Sequence, residues 1–196
     1  CTKLLKIRGD LMQNAYPPNK SAMAALIGID CGTALDIIND NNLKLEIAND
    51  NSPMQVVISG LNEDITKSEK IFKINGVKRF VLLNVSAAFH SFLMNDAQDK
   101  MKFFIEGVKF NESNISIISN FTGKICLNTE NIVSNLSNQM SNRVRWVESI
   151  KTLKKLNISN VIEIGPGKVL SGLIKRITDT LNVKSIDNIN DIENFL

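Results

Sequence analysis

The order of short apolar runs and amphipathic stretches between residues 20 and 84 most constrains what this chain can fold into. Two segments have the 3.6-residue spacing of helices, namely residues 33–41 and 62–75. Four apolar runs are typical of strands, namely residues 22–29, 43–48, 55–60 and 79–85. Between the second and third strands, residues 49–53 carry the turn-forming sequence Asn-Asp-Asn-Ser-Pro. The order βαββαβ predicts a ferredoxin-like small subdomain over residues 20–84.

The segments on either side predict a second α/β layer. Five helices are expected, at residues 4–15, 92–108, 129–140, 146–156 and 169–181. Two further apolar runs are typical of strands, at residues 115–119 and 161–164. Residues beyond about 182 are polar, and we expect a loose tail there. The fold class is therefore α/β, with a large subdomain made of residues 1–19 and 85–196 and with the small subdomain inserted in it.

Composition excludes several classes of protein. The 196 residues are 43% hydrophobic, which predicts one domain of ordinary size with a packed core. A net charge of +3 with dispersed lysines argues against nucleic acid as a partner. The three cysteines lie far apart, which argues against a disulfide scaffold or a zinc site and fits a reducing, cytoplasmic location. No apolar run approaches the roughly 20 residues that a membrane span needs, so we expect no membrane association.

The only histidine, His90, is a candidate general base. It lies in the apolar stretch Ala-Ala-Phe-His-Ser-Phe-Leu-Met at a predicted strand-to-helix junction. Imidazole, with an ordinary pKa near 6.5, exchanges protons readily at neutral pH. A surface histidine, or a core histidine with its hydrogen bonds formed, would give the same pattern. The residues alone therefore leave both a catalytic and a structural role open.

Two further polar residues fall on apolar helix faces. Arg8 lies on the face of Leu4, Leu11 and Met12, where a guanidinium is costly unless it is paired. A structural salt bridge would explain it, and so would the capture of an anionic substrate. Gln139 falls on another apolar face, and that position alone does not define its role.

Gly165-Pro166-Gly167 follows a predicted strand and precedes a predicted helix. Such a turn could hold a phosphate at the helix N-terminus. Because the full Gly-x-Gly-x-x-Gly pattern is missing, the sequence favours a tight structural turn over a nucleotide site.

Several segments in this order resemble the malonyl-CoA:acyl carrier protein transacylases, the acyltransferases of fatty acid synthesis. The matching segments are residues 7–13, 23–28, 51–60, 88–91, 144–146 and 163–170. The resemblance implies an α/β-hydrolase-like large subdomain with a ferredoxin-like insert. It also implies ping-pong transfer of a malonyl group from malonyl-CoA, through a serine ester, to the phosphopantetheine thiol of acyl carrier protein. Neither a cofactor nor a metal is implied, and we expect a monomer when the protein is complete.

The resemblance also implies roles for individual residues. His90 would activate the serine, Arg8 would bind the malonyl carboxylate, and the main-chain carbonyl of Gln139 would orient the histidine. Three more residues would line the substrate site: Asn51, Gln55 and Phe89. The aromatic ring of Phe89 would disfavour a methyl-branched substrate.

The chain lacks the Gly-His-Ser-x-Gly turn that carries the nucleophile in this family. We therefore expect the downstream part of an enzyme whose serine lies upstream, and we expect this chain to be inactive alone. An acyltransferase domain of a polyketide or fatty acid megasynthase is an alternative. Another is a non-catalytic relative that only binds a partner. Met54 and Arg143 favour this second alternative, because they replace a usual glycine and a usual proline.

Overall fold

The computed structural model describes residues 1–193 and contains both helices and strands. Its helices are α1 (Thr2–Gln13), α2 (Cys31–Asp40), α3 (Asn62–Ile74), α4 (Asn95–Glu106), α5 (Thr129–Ser137), α6 (Trp146–Lys155), α7 (Val169–Ile177) and α8 (Ile189–Glu193), with a 3₁₀ turn at Phe92–Met94. Its strands are β1 (Ser21–Ile27), β2 (Leu45–Ser52), β3 (Gln55–Leu61), β4 (Arg79–Leu82), β5 (Asn160–Ile164) and β6 (Asn182–Ile186). The predicted α/β class is confirmed.

The first four strands form one antiparallel sheet in the order β2-β3-β1-β4. Alternate residues of these strands point to one face, where α2 and α3 cover them. Phe72, Leu26, Ile58 and Ile65 are the largest fully buried side chains of that core. This sheet with two helices on one face has the βαββαβ order that the apolar pattern predicts.

The other face of this sheet packs toward the rest of the molecule. Met23, Ala25, Ala48 and Val57 are buried there, and Phe89 packs against them. Phe89 also contacts the core formed by α1 and α4, where Met12, Met94 and Met101 are buried. Phe89 therefore joins two cores, and it directly precedes His90 in the chain.

A second, parallel sheet consists of β5 and β6 alone within residues 1–193. Ile150, Ile174 and Leu181 form a small core beside it, packed by Trp146 and other residues of α6 and α7. Parallel sheets are normally covered on both faces. Here the side chain of Ile164 in β5 is 80% exposed.

Several local predictions are wrong. Residues 115–119 form no strand, because only Ile118 pairs, in an isolated bridge with Ile125, and no neighbouring strand completes a ladder. Residues 182–186, predicted as a loose tail, form β6 because β5 supplies hydrogen-bond partners for their backbone.

Segment ends also differ from the predicted bounds. Strand β2 continues through Ser52 across two irregular pairings with β3, so the polar residues 49–52 belong to an edge strand and the turn shortens to residues 53–54. The last long helix ends at Ile177, because Thr178 is extended. No helix among the described residues is both long and apolar enough to cross a membrane.

Candidate active site

The segment that carries His90 is irregular and is held by side chains from distant elements. The hydroxyl of Ser21 in β1 accepts a hydrogen bond from the Ala88 amide at 3.1 Å. Glu46 of β2 accepts another from the Phe92 amide at 2.7 Å. His90 itself adopts a left-handed conformation with φ of +57°. A non-glycine residue in this region costs roughly 1–2 kcal/mol, so surrounding contacts must hold it there.

Three main-chain carbonyls provide those contacts. The His90 amide donates to the carbonyl of Met140 at 3.1 Å. The ring atom Nδ1 lies 3.1 Å from the carbonyl oxygen of Gln139 and 3.1 Å from that of Asn142. A carbonyl oxygen can only accept, so Nδ1 carries the ring hydrogen. In the neutral imidazole, the lone pair therefore lies on Nε2, where it can take a proton.

Burial lowers the pKa of His90, and the positive charge of Arg8 lowers it further, although the two carbonyls oppose this effect. The imidazole is thus kept neutral at neutral pH, which is the state that a general base requires.

Arg8 lies on α1 and is partly buried, and burial lowers its pKa. Among residues 1–193, no carboxylate forms an ion pair with it and no acceptor receives a hydrogen bond from its guanidinium. The described part of the chain therefore lacks the structural salt bridge that was one of the two explanations for Arg8 left open by the sequence. Arg8 is instead a half-buried cation whose donors are available to an anion.

Arg8 and Gln139 line the same cavity, which has a volume of about 580 Å³. Its wall is mostly apolar and comes from α1, α4, α5 and the segment of residues 108–126, including Leu4, Met101 and Ile132. A cavity of this size with a few polar groups suits a small organic ligand. Within residues 1–193, no group of three or more His, Cys, Asp or Glu residues is placed to hold a metal ion.

Gln55 and Asn51 lie at the end of the β2–β3 hairpin, on another element from the cavity. Gln55 shares the sheet face of Val57, which is directed toward the rest of the molecule. Its Oε1 accepts a hydrogen bond from Arg176 of α7 at 2.7 Å. No hydrogen bond joins Gln55 or Asn51 to His90 in the described part of the chain, so their predicted contact with substrate remains a prediction.

Ser91, which follows His90 in the chain, is not placed to act as a nucleophile. Its hydroxyl is fully buried and donates to the carbonyl of Ala88 at 2.8 Å. This hydroxyl stabilises the turn and has no access to a substrate. A serine that reacts with the help of His90 would have to come from elsewhere.

The turn at residues 165–167 connects β5 to α7. Gly165 and Gly167 have φ values of +139° and +84°. The carboxylate of Glu163 accepts from the amides of Leu170 and Ser171 at 2.9 and 2.8 Å. These donors at the start of α7 are therefore occupied and are not available to a phosphate.

The side chains of the two unusual residues, Met54 and Arg143, form no hydrogen bond with His90 in the described part of the chain. Met54 is half exposed in the tight β2–β3 turn. Arg143 donates to the sulfur of Cys31 at 2.8 Å and lies 3.6 Å from Glu148. These contacts join the loop after α5 to α2 and α6.

Comparison with known proteins identifies relatives of this arrangement, although no protein-family model matches the chain. The chain is 34% identical over 189 residues to a malonyl CoA-acyl carrier protein transacylase of Bacillus subtilis, covering 95% of this chain and 60% of that protein. It is 38% identical over 177 residues to a polyketide biosynthesis protein of the same species, covering 89% of this chain and 23% of that protein.

A solved structure shares the fold. A malonyl-transacylase bound to its type II polyketide acyl carrier protein superimposes with a TM-score of 0.93 at 34% identity, over 98% of this chain and 63% of that one. The resemblance seen in the sequence is confirmed, and the chain spans about 60% of the length of the transacylase that it matches.

Proposed function

Because the chain is a homologue of the malonyl-CoA:acyl carrier protein transacylases, we propose that it supplies the general base and the carboxylate-binding site of such an enzyme. The observation that carries this proposal is the orientation of the His90 ring, and the guanidinium of Arg8, unpaired among the described residues, is its second support. The carbonyls of Gln139 and Asn142 fix the hydrogen on Nδ1 and leave Nε2 basic. The half-buried guanidinium of Arg8 offers its donors to the free carboxylate of a malonyl group.

In the proposed first half-reaction, a serine hydroxyl that this chain does not supply attacks the thioester carbonyl of malonyl-CoA. Its proton passes to Nε2 of His90, the carbon–sulfur bond breaks, and His90 returns the proton to the departing CoA thiolate. In the second half-reaction, the phosphopantetheine thiol of acyl carrier protein gives its proton to Nε2 and attacks the serine ester. The carbon–oxygen bond then breaks, and the proton returns to the serine oxygen.

The proposal is tested in a chimaera in which residues 1–196 replace the aligned segment of the Bacillus subtilis transacylase. We expect this chimaera to transfer malonyl to phosphopantetheinylated carrier protein and the 196-residue chain alone to be inactive. His90→Asn removes the base but tolerates the left-handed backbone. It is expected to slow malonyl transfer by roughly 10²–10⁴-fold.

Two results would contradict the proposal. One is malonyl transfer by the 196-residue chain without any added segment. The other is full activity of the His90→Asn chimaera. If the chimaera folds and binds carrier protein but does not transfer malonyl, the chain is a non-catalytic relative.

The carrier protein could belong to fatty acid or to polyketide synthesis. The identity of 38% to a polyketide biosynthesis protein supports a carrier protein of polyketide synthesis as the alternative. Assays of the chimaera with one carrier protein of each kind distinguish the two, because the preferred carrier has the higher kcat/KM.

A further inference from the structure

The peptide group between Met140 and Ser141 is held from both sides. Its carbonyl oxygen accepts from the His90 amide at 3.1 Å. Its N–H, on Ser141, donates to Oε1 of Gln98 at 3.1 Å. A trans peptide is planar and has its C=O and N–H on opposite edges. The two hydrogen bonds therefore fix the rotation of this one plane.

The orientation of this plane determines where the neighbouring carbonyls point. Gln139 precedes it and Asn142 follows it, and both of their carbonyl oxygens contact Nδ1 of His90. Any rotation of the plane that is not compensated between ψ of Met140 and φ of Ser141 would move these two carbonyls relative to each other, so that they would no longer converge on Nδ1. The side chain that holds the plane thus acts on the histidine without touching it.

Gln98 is attached to a rigid part of the molecule. It lies on α4, where its neighbours Ala97 and Met101 are buried in the same core as Met140. The helix and the loop after α5 are therefore packed together, and Gln98 adds a polar contact between them. Its partial burial limits competition from water for the Ser141 amide.

We propose that Gln98 is a positioning residue, which holds the loop of residues 139–142 so that His90 keeps its hydrogen on Nδ1. Its importance for catalysis rests on the function proposed above, but its effect on the histidine does not. Nothing in the sequence around Gln98 distinguishes it from an ordinary exposed helical glutamine.

The test uses the full chain with ¹⁵N-labelled histidine. Because His90 is the only histidine, the nitrogen spectrum reports this one ring. In the unsubstituted chain, we expect the Nδ1–H tautomer. Gln98→Met has a similar length but no acceptor, and it is expected to change the tautomer ratio by about 2- to 10-fold toward Nε2–H, as the loss of one hydrogen bond predicts. Gln98→Glu keeps an acceptor oxygen and should restore the original spectrum.

Gln13→Met is the matched control, because Gln13 is an exposed helical glutamine far from the loop in sequence. The nitrogen spectrum of His90 should be unchanged in this variant. An unchanged tautomer in folded Gln98→Met would overturn the proposal, as would a tautomer change in Gln98→Glu equal to that in Gln98→Met. If Gln98→Met does not fold, Gln98→Asn decides, because its shorter side chain withdraws the acceptor. The same tautomer ratio in Gln98→Asn as in the unsubstituted chain would then overturn it. The measurement needs no substrate, so an inactive chimaera would refute the proposed function and leave this inference standing.

Discussion

Replacing Arg8 by methionine is predicted to remove the preference of the chimaera for malonyl-CoA over acetyl-CoA. Malonyl has a free carboxylate and acetyl has none, so only malonyl can use the guanidinium. Arg8 has no ion-pair partner among residues 1–193, so its fork of donors is free to bind both carboxylate oxygens. Arg8 is only partly buried, so water already accepts hydrogen bonds from some of the guanidinium donors. We therefore count the gain in binding free energy as that of one charge-assisted hydrogen bond. That gain is about 1.5–3 kcal/mol, or roughly 10- to 150-fold in kcat/KM for malonyl relative to acetyl.

The assay measures kcat/KM for both thioesters with the same carrier protein. Arg8→Lys should restore part of the preference, since an ammonium group cannot make the planar paired contact. Lys6→Met is the control, because it removes an exposed cation from the same helix and should leave the preference unchanged. The melting temperature should be nearly unchanged in Arg8→Met, since no ion pair is broken. Equal losses for both substrates, together with a lower melting temperature, would refute the recognition role.

Three further predictions concern stability. Burial and the charge of Arg8 lower the pKa of His90 below its value in the unfolded chain. As pH falls, the unfolded chain therefore binds the proton first. The contribution of His90 to the free energy of unfolding is fully present above about pH 6.5 and decreases below it. Urea unfolding at several pH values should show this component in the unsubstituted chain, and its persistence in His90→Asn would contradict the assignment. Gly123 has φ of +66°, and a Cβ there would lie 2.6 Å from Cβ of Glu148, so Gly123→Ala should lower the free energy of unfolding by more than the roughly 1–2 kcal/mol of left-handed strain. Gly9→Ala, in an open helical position, should raise it by up to about 1 kcal/mol in the same urea experiment, and a loss there would show that α1 is not helical in solution.

The sequence predicts the four-stranded sheet well because local patterns determine most of it. Residues 22–29 and 55–60 are apolar enough to be buried on both faces, and strong turn and helix-stop signals separate the segments. Strand β6 was missed because its alternation is short and partly polar. Its formation depends on pairing with β5, which is a tertiary effect.

The candidate site was predicted only where a side chain carries the chemistry. His90 and Arg8 stand out because one is unique and the other is a cation on an apolar helix face. Asn142 and Met140 act through main-chain carbonyls, which every residue possesses, so no residue type marks them. The resemblance, rather than any pattern in the residues, pointed to the carbonyl of Gln139.

The contacts of His90 join segments that are distant along the chain. Its ring contacts carbonyls 49 and 52 residues away, and the turn that carries it is held by Ser21, which lies 67 residues before Ala88. Bringing such distant segments together costs loop-closure entropy, and contacts of this kind slow folding. A refolding chain can form α4 and α5 locally while its imidazole is still an ordinary solvated side chain. We therefore expect the orientation and the pKa of the ring to become native only in the final cooperative step of folding.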